Sequence, residues 1–497
     1  MVVAALRRRL TASLSRFHLL VALLAGVTGL AGSFAVAGYT REFLVAPIDA
    51  LVVRATPGEL VAFMIQNVGE EAHLLHIGLS VAIAVALLAG VTLLALLLAR
   101  QVDRPDVRAG VATVLAGGFA WTLAAVVTAR PLLGLGAAVP VAVVTAASAV
   151  GRPAPEYDPA RRTALAAGAT ALGALAVAVG LGRFRPGDGQ TAVQASDTTG
   201  LIDEETDEET ATLIRDAASR ELDIAGDVPG LLSTFDEFYN VDIAEFDPDV
   251  AADDWQLTIT GEVGEDRTVD FADLQARPTE RRYVTLRCVG ESLNGHKCDT
   301  AVWTGTPLGP ILDEADPEGA CGCAMLHAAD GYFVQFPIEA LRQSVLAWGM
   351  NGRPLPQSHG HPVRVLVPGH WGETNVKWVE TIELLEEEMD GYWEQRGWHG
   401  TGPVETVAKL WSDTVLEDGR IEVAGHAYAG TRGIDRVEVS TDGGETWTDA
   451  ALSEPLPAED VWRQWRYVFE PDGTHEVVVR ATDGEGSLQS SEESRSY

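Results

Sequence analysis

Residues 282–295 read RYVTLRCVGESLNG: a strand-like run ends at Cys288, and a loop that contains glycine follows it. A thiol at the end of a strand, above such a loop, is well placed to bind a soft metal or to act as a nucleophile. The thiolate, rather than the thiol, performs either task. A disulfide is the alternative on spacing alone, because an exported cysteine usually forms one.

The segment around this run mixes strands with short helices. Apolar runs such as WQLTITGEV (255–263) and PVRVLVPG (362–369) alternate with helical stretches such as PLGPILDEA (307–315). This is the pattern of an α+β domain with many turns. We expect the domain to span residues 231–403.

The last hundred residues follow a different pattern. They alternate apolar and polar side chains, as in RIEVAGHAYA (420–429), and turn signals such as Asp442-Gly443-Gly444 join the runs. A period of two between turns is typical of strands in a small sandwich. Residues 404–497 are therefore predicted to form an immunoglobulin-like β-sandwich.

The charge of the chain is strongly negative but unevenly distributed. The 497 residues include 71 acidic and 36 basic side chains, a formal net charge of −35. Such a chain would repel phosphate, which argues against a nucleic-acid partner. Residues 1–185, however, hold 15 arginines and no lysine against 9 acidic residues, or +6, whereas the remainder stands at −41. The two parts are expected to lie in different environments.

Residues 1–185 are predicted to form a transmembrane anchor with five spans, since each apolar stretch approaches the roughly 20 residues that a helix needs to cross a bilayer. The predicted spans are 19–37, 74–99, 109–129, 131–151 and 163–182. His76 is the one ionisable side chain within them. His73 and His76 could bind haem, but no facing histidine lies deep within another span.

Arginines indicate the orientation of these spans. They cluster before the first span, between the second and third, and between the fourth and fifth, and the positive-inside rule places those segments in the cytoplasm. Everything after residue 182 is then expected on the extracellular side of the cell membrane. Arg161 and Arg162, before the fifth span, resemble a twin-arginine export signal, although the pair would equally serve as a topology anchor.

Residues 186–230 are predicted to be an acidic linker, because a dense acidic run is most often solvated. The acidic surplus of the whole soluble part would destabilise a compact state in dilute salt and is tolerated where salt screens it. The composition therefore resembles that of proteins from halophiles.

Several separated motifs occur in a consistent order and at a consistent spacing. They include DDWQLTITGEV (253–263), VTLRCVGESLNG (284–295), HGHPVRVLVPGHWGETNVKW (359–378) and GHAYAGTRGIDRVEVSTDGGETW (425–447). Together they resemble the sulfite oxidase family of molybdopterin enzymes, in its membrane-attached, haloarchaeal-like prokaryotic branch. The resemblance covers residues 231–484. It implies a molybdopterin-binding oxidoreductase domain followed by a dimerisation-type domain.

The resemblance also implies a molybdenum-molybdopterin cofactor and the residues that hold it. Cys288 would bind molybdenum through its thiolate, beside the pterin dithiolene. Arg364 and Lys377 would supply positive charge for the cofactor phosphate within an otherwise acidic domain. The residues expected to contact the pterin or its phosphate are Tyr239, Asn240, Asp330, His359, Arg364, Asn375, Val376 and Lys377.

The substrate-binding positions depart from the family pattern. Sulfite oxidases hold their anion with an Arg where this chain has Asn240, with a Tyr where it has Trp398, and with a further Arg near the C-terminus that has no counterpart here. The loss of two guanidinium groups removes bidentate recognition of an anion. The catalytic site of Cys288, Asn240 and Trp398 is therefore expected to take a substrate less charged than sulfite, with Trp398 as an apolar wall.

The remaining cysteines are Cys298, Cys321 and Cys323. Cys321-Gly322-Cys323 is not expected to close on itself, so one disulfide from Cys298 to either member of the pair is predicted. A small metal site that combines His296 with these three cysteines is the alternative.

The sequence thus predicts a membrane-anchored, molybdopterin-dependent oxidoreductase, with lipid around its spans, that performs two-electron oxygen-atom transfer on a small S- or N-oxide. No cytochrome domain is recognisable, so electrons are expected to pass to a separate carrier: a cytochrome, a cupredoxin or a quinone-linked protein. A homodimer through the C-terminal domain fits the resemblance. Sulfite oxidation and, as a different class, a cofactor-free surface binding or scaffold protein are the alternatives.

Overall fold

The computed structural model describes residues 16–57, 60, 63–64, 72–149, 198–204, 206–243, 246–398 and 401–492. The chain divides into two compact units, of which the first comprises residues 1–189 and 244–246 and the second comprises the rest.

The first unit is a bundle of apolar helices. These are α1 (Arg16–Ala37), α2 (Val45–Ala55), α3 (Ala72–Ala99), α4 (Pro105–Thr128) and α5 (Gly134–Ala149). Small residues allow close packing, since a Cβ on Gly32 of α1 would collide with the carbonyl oxygen of Gly136 of α5. Apolar side chains such as Val114 and Val126 are exposed, which suits a lipid solvent.

Three of the described helices are long and apolar enough to cross a membrane: Arg16–Ala37, Leu75–Ala99 and Val107–Thr128. The prediction of five spans is therefore corrected to three within the described ranges. The fourth predicted span is the 16-residue helix α5, which contains Pro140. It is shorter than predicted because residues 131–133 form a turn and the helix begins only at Gly134. The fifth span and the Arg161–Arg162 pair lie outside the described residues.

Part of the predicted acidic linker is a helix, α6 (Glu208–Ser219). It begins after Asp207, whose side chain accepts a hydrogen bond from the Thr210 amide at 3.1 Å. Its apolar face buries Ile214 and Ala217 in a core shared with the following domain. The acidic residues of this helix occupy its opposite, solvent-facing side. A run of acidic residues in this segment is therefore compatible with a packed amphipathic helix as well as with a linker.

Strands and short helices alternate through residues 256–385 in an α+β arrangement, while the bounds of the domain predicted for residues 231–403 stay a prediction. Its strands are β1 (Gln256–Gly261), β2 (Arg267–Asp270), β3 (Glu280–Arg287), β4 (Cys298–Pro307), β5 (Cys323–Ala328), β6 (Phe333–Pro337), β7 (Val345–Met350), β8 (Arg353–Pro354), β9 (Arg364–Leu366) and β10 (Val379–Leu385). Its short helices are α7 (Phe271–Gln275), α8 (Gly309–Asp313) and α9 (Ile338–Arg342). One sheet has the order β2-β1-β10-β5-β6, and the other has the order β3-β4-β7-β8 with β9 beside β7.

The C-terminal region consists of two antiparallel sheets. Its strands are β11 (Val407–Val415), β12 (Ile421–Tyr428), β13 (Ile434–Ser440), β14 (Thr448–Asp449), β15 (Ala451–Leu452), β16 (Arg463–Phe469) and β17 (Val478–Asp483). The sheet orders are β11-β12-β16-β15 and β14-β13-β17. Val423 and Trp465 of the first sheet share one buried core with Val437 and Ala481 of the second. The two sheets therefore face each other as predicted for a sandwich, while the immunoglobulin-like subtype stays a prediction.

The disulfide prediction is wrong. Cys321 pairs with Cys323 across Cα atoms 5.3 Å apart, and the intervening Gly322 has φ +59°, a left-handed conformation that glycine adopts readily. Cys298 is a free thiol, buried among apolar residues in β4. Within the described ranges, no three His, Cys, Asp or Glu side chains are grouped to hold a metal. The alternative site with His296 and the three cysteines is thus not formed.

Candidate functional site

The residues implied by the sequence motifs converge on one cavity in the α+β domain. The cavity, which is open to solvent, has a volume of about 110 Å³. Of the ten predicted site residues, those in its wall are Tyr239, Cys288, Asp330, Arg364, Asn375, Val376, Lys377 and Trp398. His359 and Asn240 are outside the wall but bond to residues in it.

Cys288 follows the last residue of β3 and begins the loop that leads to β4. Its amide donates to the Lys297 carbonyl at 2.9 Å, so the beginning and the end of the loop are hydrogen-bonded to each other. The thiol is partly buried. Burial raises the pKa of Cys288, and a hydrogen bond from the Gly290 amide opposes that shift. A bound cation is the kind of partner that would hold this group as a thiolate.

Arg364, at the start of β9, is a buried cation in the cavity wall. Its guanidinium donates to the His359 carbonyl at 3.2 Å and to the Asn375 carbonyl at 2.9 Å. The Nε atom is buried without a partner. Burial lowers the pKa of Arg364 to about 10, so the group stays positively charged at neutral pH. An unpartnered N–H on a buried cation suits an anionic ligand.

Lys377 is the second basic residue of the wall. Its ammonium donates to Asp242 Oδ2 at 3.0 Å, to the Ser358 carbonyl at 2.8 Å and to the Asn240 side chain. Burial lowers the pKa of Lys377, while Asp242 acts in the opposite direction. Asn240 is exposed, and its hydrogen bond with Lys377 links it to the basic residues of the wall.

Gly360 brings the two basic residues together. Its φ is +107°, and a Cβ at this position would lie 3.1 Å from the Cβ atoms of both Arg364 and Lys377. A larger residue would therefore be strained and would press the two side chains apart. The positions of Arg364 and Lys377, which form the basic end of the cavity, depend on the close approach that Gly360 allows.

Of three further predicted contacts, Asn375 and Val376 lie in the loop before β10, and His359 lies in the turn before β9. The Asn375 side chain accepts from the Val367 amide at 2.7 Å and donates to the Trp371 carbonyl at 3.0 Å. Val376 is 1% exposed and His359 is 3% exposed. Burial, and then Arg364 nearby, lowers the pKa of His359 to about 3, which keeps its ring neutral. Asn375 and Val376 thus form part of the cavity wall, and His359 lies outside it.

Asp330 and Tyr239 border the cavity from different elements. Asp330 lies in the turn between β5 and β6 and accepts from the Tyr332 amide at 2.8 Å. Burial raises the pKa of Asp330 to about 6. The Tyr239 amide donates to Asp299 Oδ2 at 2.9 Å, and a Cβ on Gly372 would lie 2.5 Å from the Tyr239 hydroxyl. The glycine allows this tyrosine to reach the end of β3.

Trp398 lies beside the Cys288 loop and lines the cavity. A Cβ on Gly290 would lie 2.9 Å from the Trp398 ring, so only a glycine two residues after Cys288 admits the indole. The Trp393 ring is 4.8 Å away, centroid to centroid. The two indoles form an apolar surface at this end of the cavity.

Sequence reasoning missed Glu373 and Tyr332, which also line the cavity. The Tyr332 hydroxyl donates to the Glu373 carbonyl at 3.0 Å. Burial, and then the neighbouring Glu394, raises the pKa of Glu373 to about 8. A carboxyl side chain two residues before Asn375, inside a recognised motif, was the signal that could have identified it.

This arrangement fits a metal-bearing cofactor with an anionic group. A half-buried free thiol provides a soft ligand, and a buried guanidinium with an unpartnered Nε provides a cation for a phosphate. Cys288 would hold the metal, and Arg364 and Lys377 would hold the phosphate. All three side chains line one cavity.

Comparisons with known proteins agree with this chemistry. A family model described as "Oxidoreductase molybdopterin binding domain" matches residues 244–393, and one described as "Mo-co oxidoreductase dimerisation domain" matches residues 404–496. Mitochondrial sulfite oxidase of Rattus norvegicus is 28% identical over 302 residues, which cover 49% of this chain and 54% of that protein. Nitrate reductase [NADPH] of Beauveria bassiana is 28% identical over 281 residues, which cover 46% of this chain and 30% of that protein.

The sulfane dehydrogenase SoxCD from Paracoccus pantotrophus is a solved structure with a TM-score of 0.41 and 23% identity, covering 50% of this chain and 71% of that one. The chain spans about half the length of the mitochondrial sulfite oxidases that it matches. The assignment therefore depends on the two domain models and the curated relatives. The cofactor that these imply is molybdenum-molybdopterin, and the chain belongs to the sulfite oxidase-like family of molybdopterin oxidoreductases.

Proposed function

We propose that this protein is a membrane-anchored, molybdenum-molybdopterin-dependent oxidoreductase that carries out two-electron oxygen-atom transfer on a small S- or N-oxide. The observation that carries the proposal is the convergence of Cys288, Arg364 and Lys377 on one cavity. The cofactor, when bound, supplies the two-electron redox change and the site for the transferred oxygen.

In this proposal each residue has a defined task. Cys288 holds the metal and tunes its potential through the thiolate. Arg364, through its unpartnered Nε, and Lys377 bind the cofactor phosphate. The remaining predicted contacts, which shape the wall around the pterin, are Tyr239, Asn240, Asp330, His359, Asn375 and Val376. Trp398, beside the Cys288 loop, contacts the substrate.

The nature of the wall favours an oxide over an oxyanion. The basic residues among the described lining are Arg364 and Lys377, and Lys377 is already paired with Asp242 at 3.0 Å. Trp398 stands where sulfite oxidases have a tyrosine. Sulfite oxidation remains the second candidate, because sulfite oxidases are among the relatives that match the chain.

The location and partners are part of the same proposal. Three apolar helices support a membrane anchor in contact with lipid, with the catalytic domain on the extracellular side. The dimerisation-domain match supports a homodimer through residues 404–496. Electrons would pass to or from a separate carrier, which would be a cytochrome, a cupredoxin or a quinone-linked protein.

The test is metal content followed by turnover. The full chain, made in a host that synthesises the cofactor and purified in detergent at high salt, should contain about one molybdenum per chain. It should then oxidise a reduced viologen dye when a sulfoxide or an amine N-oxide is added. Wild-type protein without molybdenum would contradict the proposal and favour a cofactor-free binding protein.

A further inference from the structure

Asp299 is a buried carboxyl group next to the strand that leads to Cys288. It is 4% exposed and is the second residue of β4. In the register of the sheet it lies opposite Leu286 of β3. Leu286 lines the cavity, as does Cys288 two residues later. The pairing of β3 with β4 therefore fixes Asp299 relative to the proposed metal ligand.

Both oxygens of this carboxyl group accept hydrogen bonds from one segment, residues 233–239. Oδ1 accepts from the Ser233 hydroxyl at 2.6 Å, and Oδ2 accepts from the Tyr239 amide at 2.9 Å. The first and last residues of the segment are therefore joined through one side chain of β4.

The two ends of the segment are held differently. The Ser233 amide also donates to the Thr300 carbonyl at 2.8 Å, and the Ser233 carbonyl accepts from the Asn351 side chain at 3.0 Å. These two bonds would keep Ser233 in place without Asp299. The Tyr239 amide instead donates to the Asp299 carboxyl group, so loss of that group should release the Tyr239 end of the segment selectively.

The position of Tyr239 matters because this residue lines the cavity. Its ring stacks on that of Phe238, with 5.7 Å between the centroids. A Cβ on Gly372 would lie 2.5 Å from the Tyr239 hydroxyl and 3.1 Å from the Arg287 carbonyl oxygen. The hydroxyl and the carbonyl oxygen thus lie against the same glycine, and Cys288 directly follows Arg287. The tyrosine and the proposed metal ligand are held in one small region.

We propose that Asp299 is a positioning residue for the cofactor site: through the Tyr239 amide, it sets where the Tyr239 side chain lies relative to Cys288. Asp299 acts through Tyr239 and does not itself contact the cofactor. A displaced tyrosine leaves one side of the cofactor without its contact, so the cofactor dissociates more readily. The inference rests on the proposed function, and it adds a residue outside the recognised contacts.

The experiment compares full-chain holoenzymes of the wild type, Asp299→Leu and Asp299→Asn. Pterin and molybdenum per chain are followed over time, in detergent at high salt and below the unfolding temperature of each variant. Asp299→Leu leaves a buried amide without an acceptor, so the cofactor should dissociate roughly tenfold faster. Asp299→Asn keeps an acceptor for the Tyr239 amide, and its NH₂ group can donate to the Ser233 hydroxyl oxygen. It should therefore restore most of the retention.

A second comparison tests whether Asp299 acts through Tyr239. Tyr239→Ala should itself speed cofactor loss, and adding Asp299→Leu to it should change the rate by less than about twofold. Asp299→Leu should also alter the electron paramagnetic resonance spectrum of the bound molybdenum as Tyr239→Ala does. A role in stability alone would produce neither the coupling nor the shared change of spectrum.

Asp483→Leu and Ser233→Ala are the matched controls. Asp483 is a 1% exposed carboxyl group in β17 that accepts from the Ser487 amide at 2.9 Å and from the Thr406 hydroxyl at 3.0 Å. Its replacement should lower the unfolding temperature without speeding cofactor dissociation. Ser233→Ala removes the other donor to the β4 carboxyl group and should keep the cofactor, because the Tyr239 amide keeps its acceptor.

Failure of the inference differs from failure of the proposed function. Cofactor retention by Asp299→Leu equal to that of the wild type overturns the inference and leaves the oxidoreductase function intact. Additive losses in the double variant, or equal losses in Asp483→Leu, overturn it as well. If Asp299→Leu does not fold, Asp299→Ala takes its place with the same expectations, since water can then reach the amide without fixing it. A wild type without molybdenum contradicts the proposed function, and with it the inference.

Discussion

Lys409 Nζ lies 2.5 Å from Glu291 Oε2, and these side chains are 2% and 1% exposed. Lys409 belongs to β11 of the C-terminal sandwich, whereas Glu291 is three residues after Cys288. Lys409 also donates to the Gly295 carbonyl at 3.2 Å, and Glu291 Oε1 accepts from the Lys297 amide at 2.6 Å. The C-terminal region thus fixes the loop that presents the Cys288 thiol.

Removing one partner of this pair should be costly. Lys409→Met leaves the buried Glu291 carboxylate with Arg287 as its remaining cation, whose Nε lies 3.3 Å from Glu291 Oε2. Because breaking a buried ion pair costs about 3–5 kcal/mol of the free energy of unfolding, we expect a loss of up to that size. We expect a clear fall in the thermal unfolding temperature and a loss of metal, measured by calorimetry and elemental analysis. The double variant Lys409→Met, Glu291→Gln should recover part of the stability, because the lysine and the carboxylate charge are removed together and Arg287 keeps its hydrogen bond to the Glu405 carbonyl.

The exposed pair Arg420–Asp418 provides the control for that prediction. Its side chains are 48% and 54% exposed, so Arg420→Met should leave the unfolding temperature unchanged, as exposed pairs contribute little. Equal effects of Lys409→Met and Arg420→Met would mean that the buried pair does not anchor the Cys288 loop.

The basic end of the cavity should determine how well the cofactor is retained. Arg364→Gln removes a buried cation at the proposed phosphate site, and a lost charge-assisted contact there should weaken retention roughly tenfold or more. Pterin and molybdenum per chain after gel filtration are the measurements. Arg436→Gln, on the exposed face of β13, should retain both. Full retention of pterin and molybdenum by Arg364→Gln would show that Arg364 does not bind the cofactor phosphate.

Stability should fall between acidic and neutral pH because of Asp460. Burial raises the pKa of Asp460 to about 7, against the ordinary 3.8, while the Tyr428 hydroxyl donates to it at 2.6 Å. The folded state therefore keeps a proton that the unfolded state releases, so its stabilising effect is complete below pH 3.8 and is lost as pH rises through about 7. Asp460→Asn should make the unfolding temperature less dependent on pH between pH 5 and 8. The same dependence on pH as in the wild type would contradict this prediction.

The Arg161–Arg162 pair allows a test of export. If it acts as a twin-arginine signal, replacing both with lysine should leave the soluble domain inside the cell while the earlier spans insert normally. Protease protection of the domain in intact cells is the readout. Surface exposure equal to that of the wild type would leave the pair as a topology anchor alone.

Local motifs made much of the site predictable. Cys288 at a strand end, and Arg364 and Lys377 in one short motif, were identified because the chemistry of each depends on residues near it in sequence. Lys409 and Glu291 were not, since they are 118 residues apart and belong to different domains. Such a pair becomes visible only when the sandwich packs on the loop.

The errors came from backbone geometry. Cys321 and Cys323 pair because Gly322 adopts a left-handed φ, which spacing alone does not reveal. The fourth apolar stretch is long enough for a full span, yet its first three residues form a turn. Glu373 lies inside a recognised motif, but its burial, which distinguishes it from the other carboxylates of an acidic chain, is known only from the structure.

The central claim is that the Cys288 thiolate binds molybdenum, and X-ray absorption at the molybdenum edge tests it most directly. The wild type should show one more molybdenum–sulfur bond per metal than Cys288→Ser, whereas Cys298→Ala, which alters the buried free thiol of β4, should match the wild type. The same sulfur coordination in wild type and Cys288→Ser, with molybdenum present in both, would contradict the account.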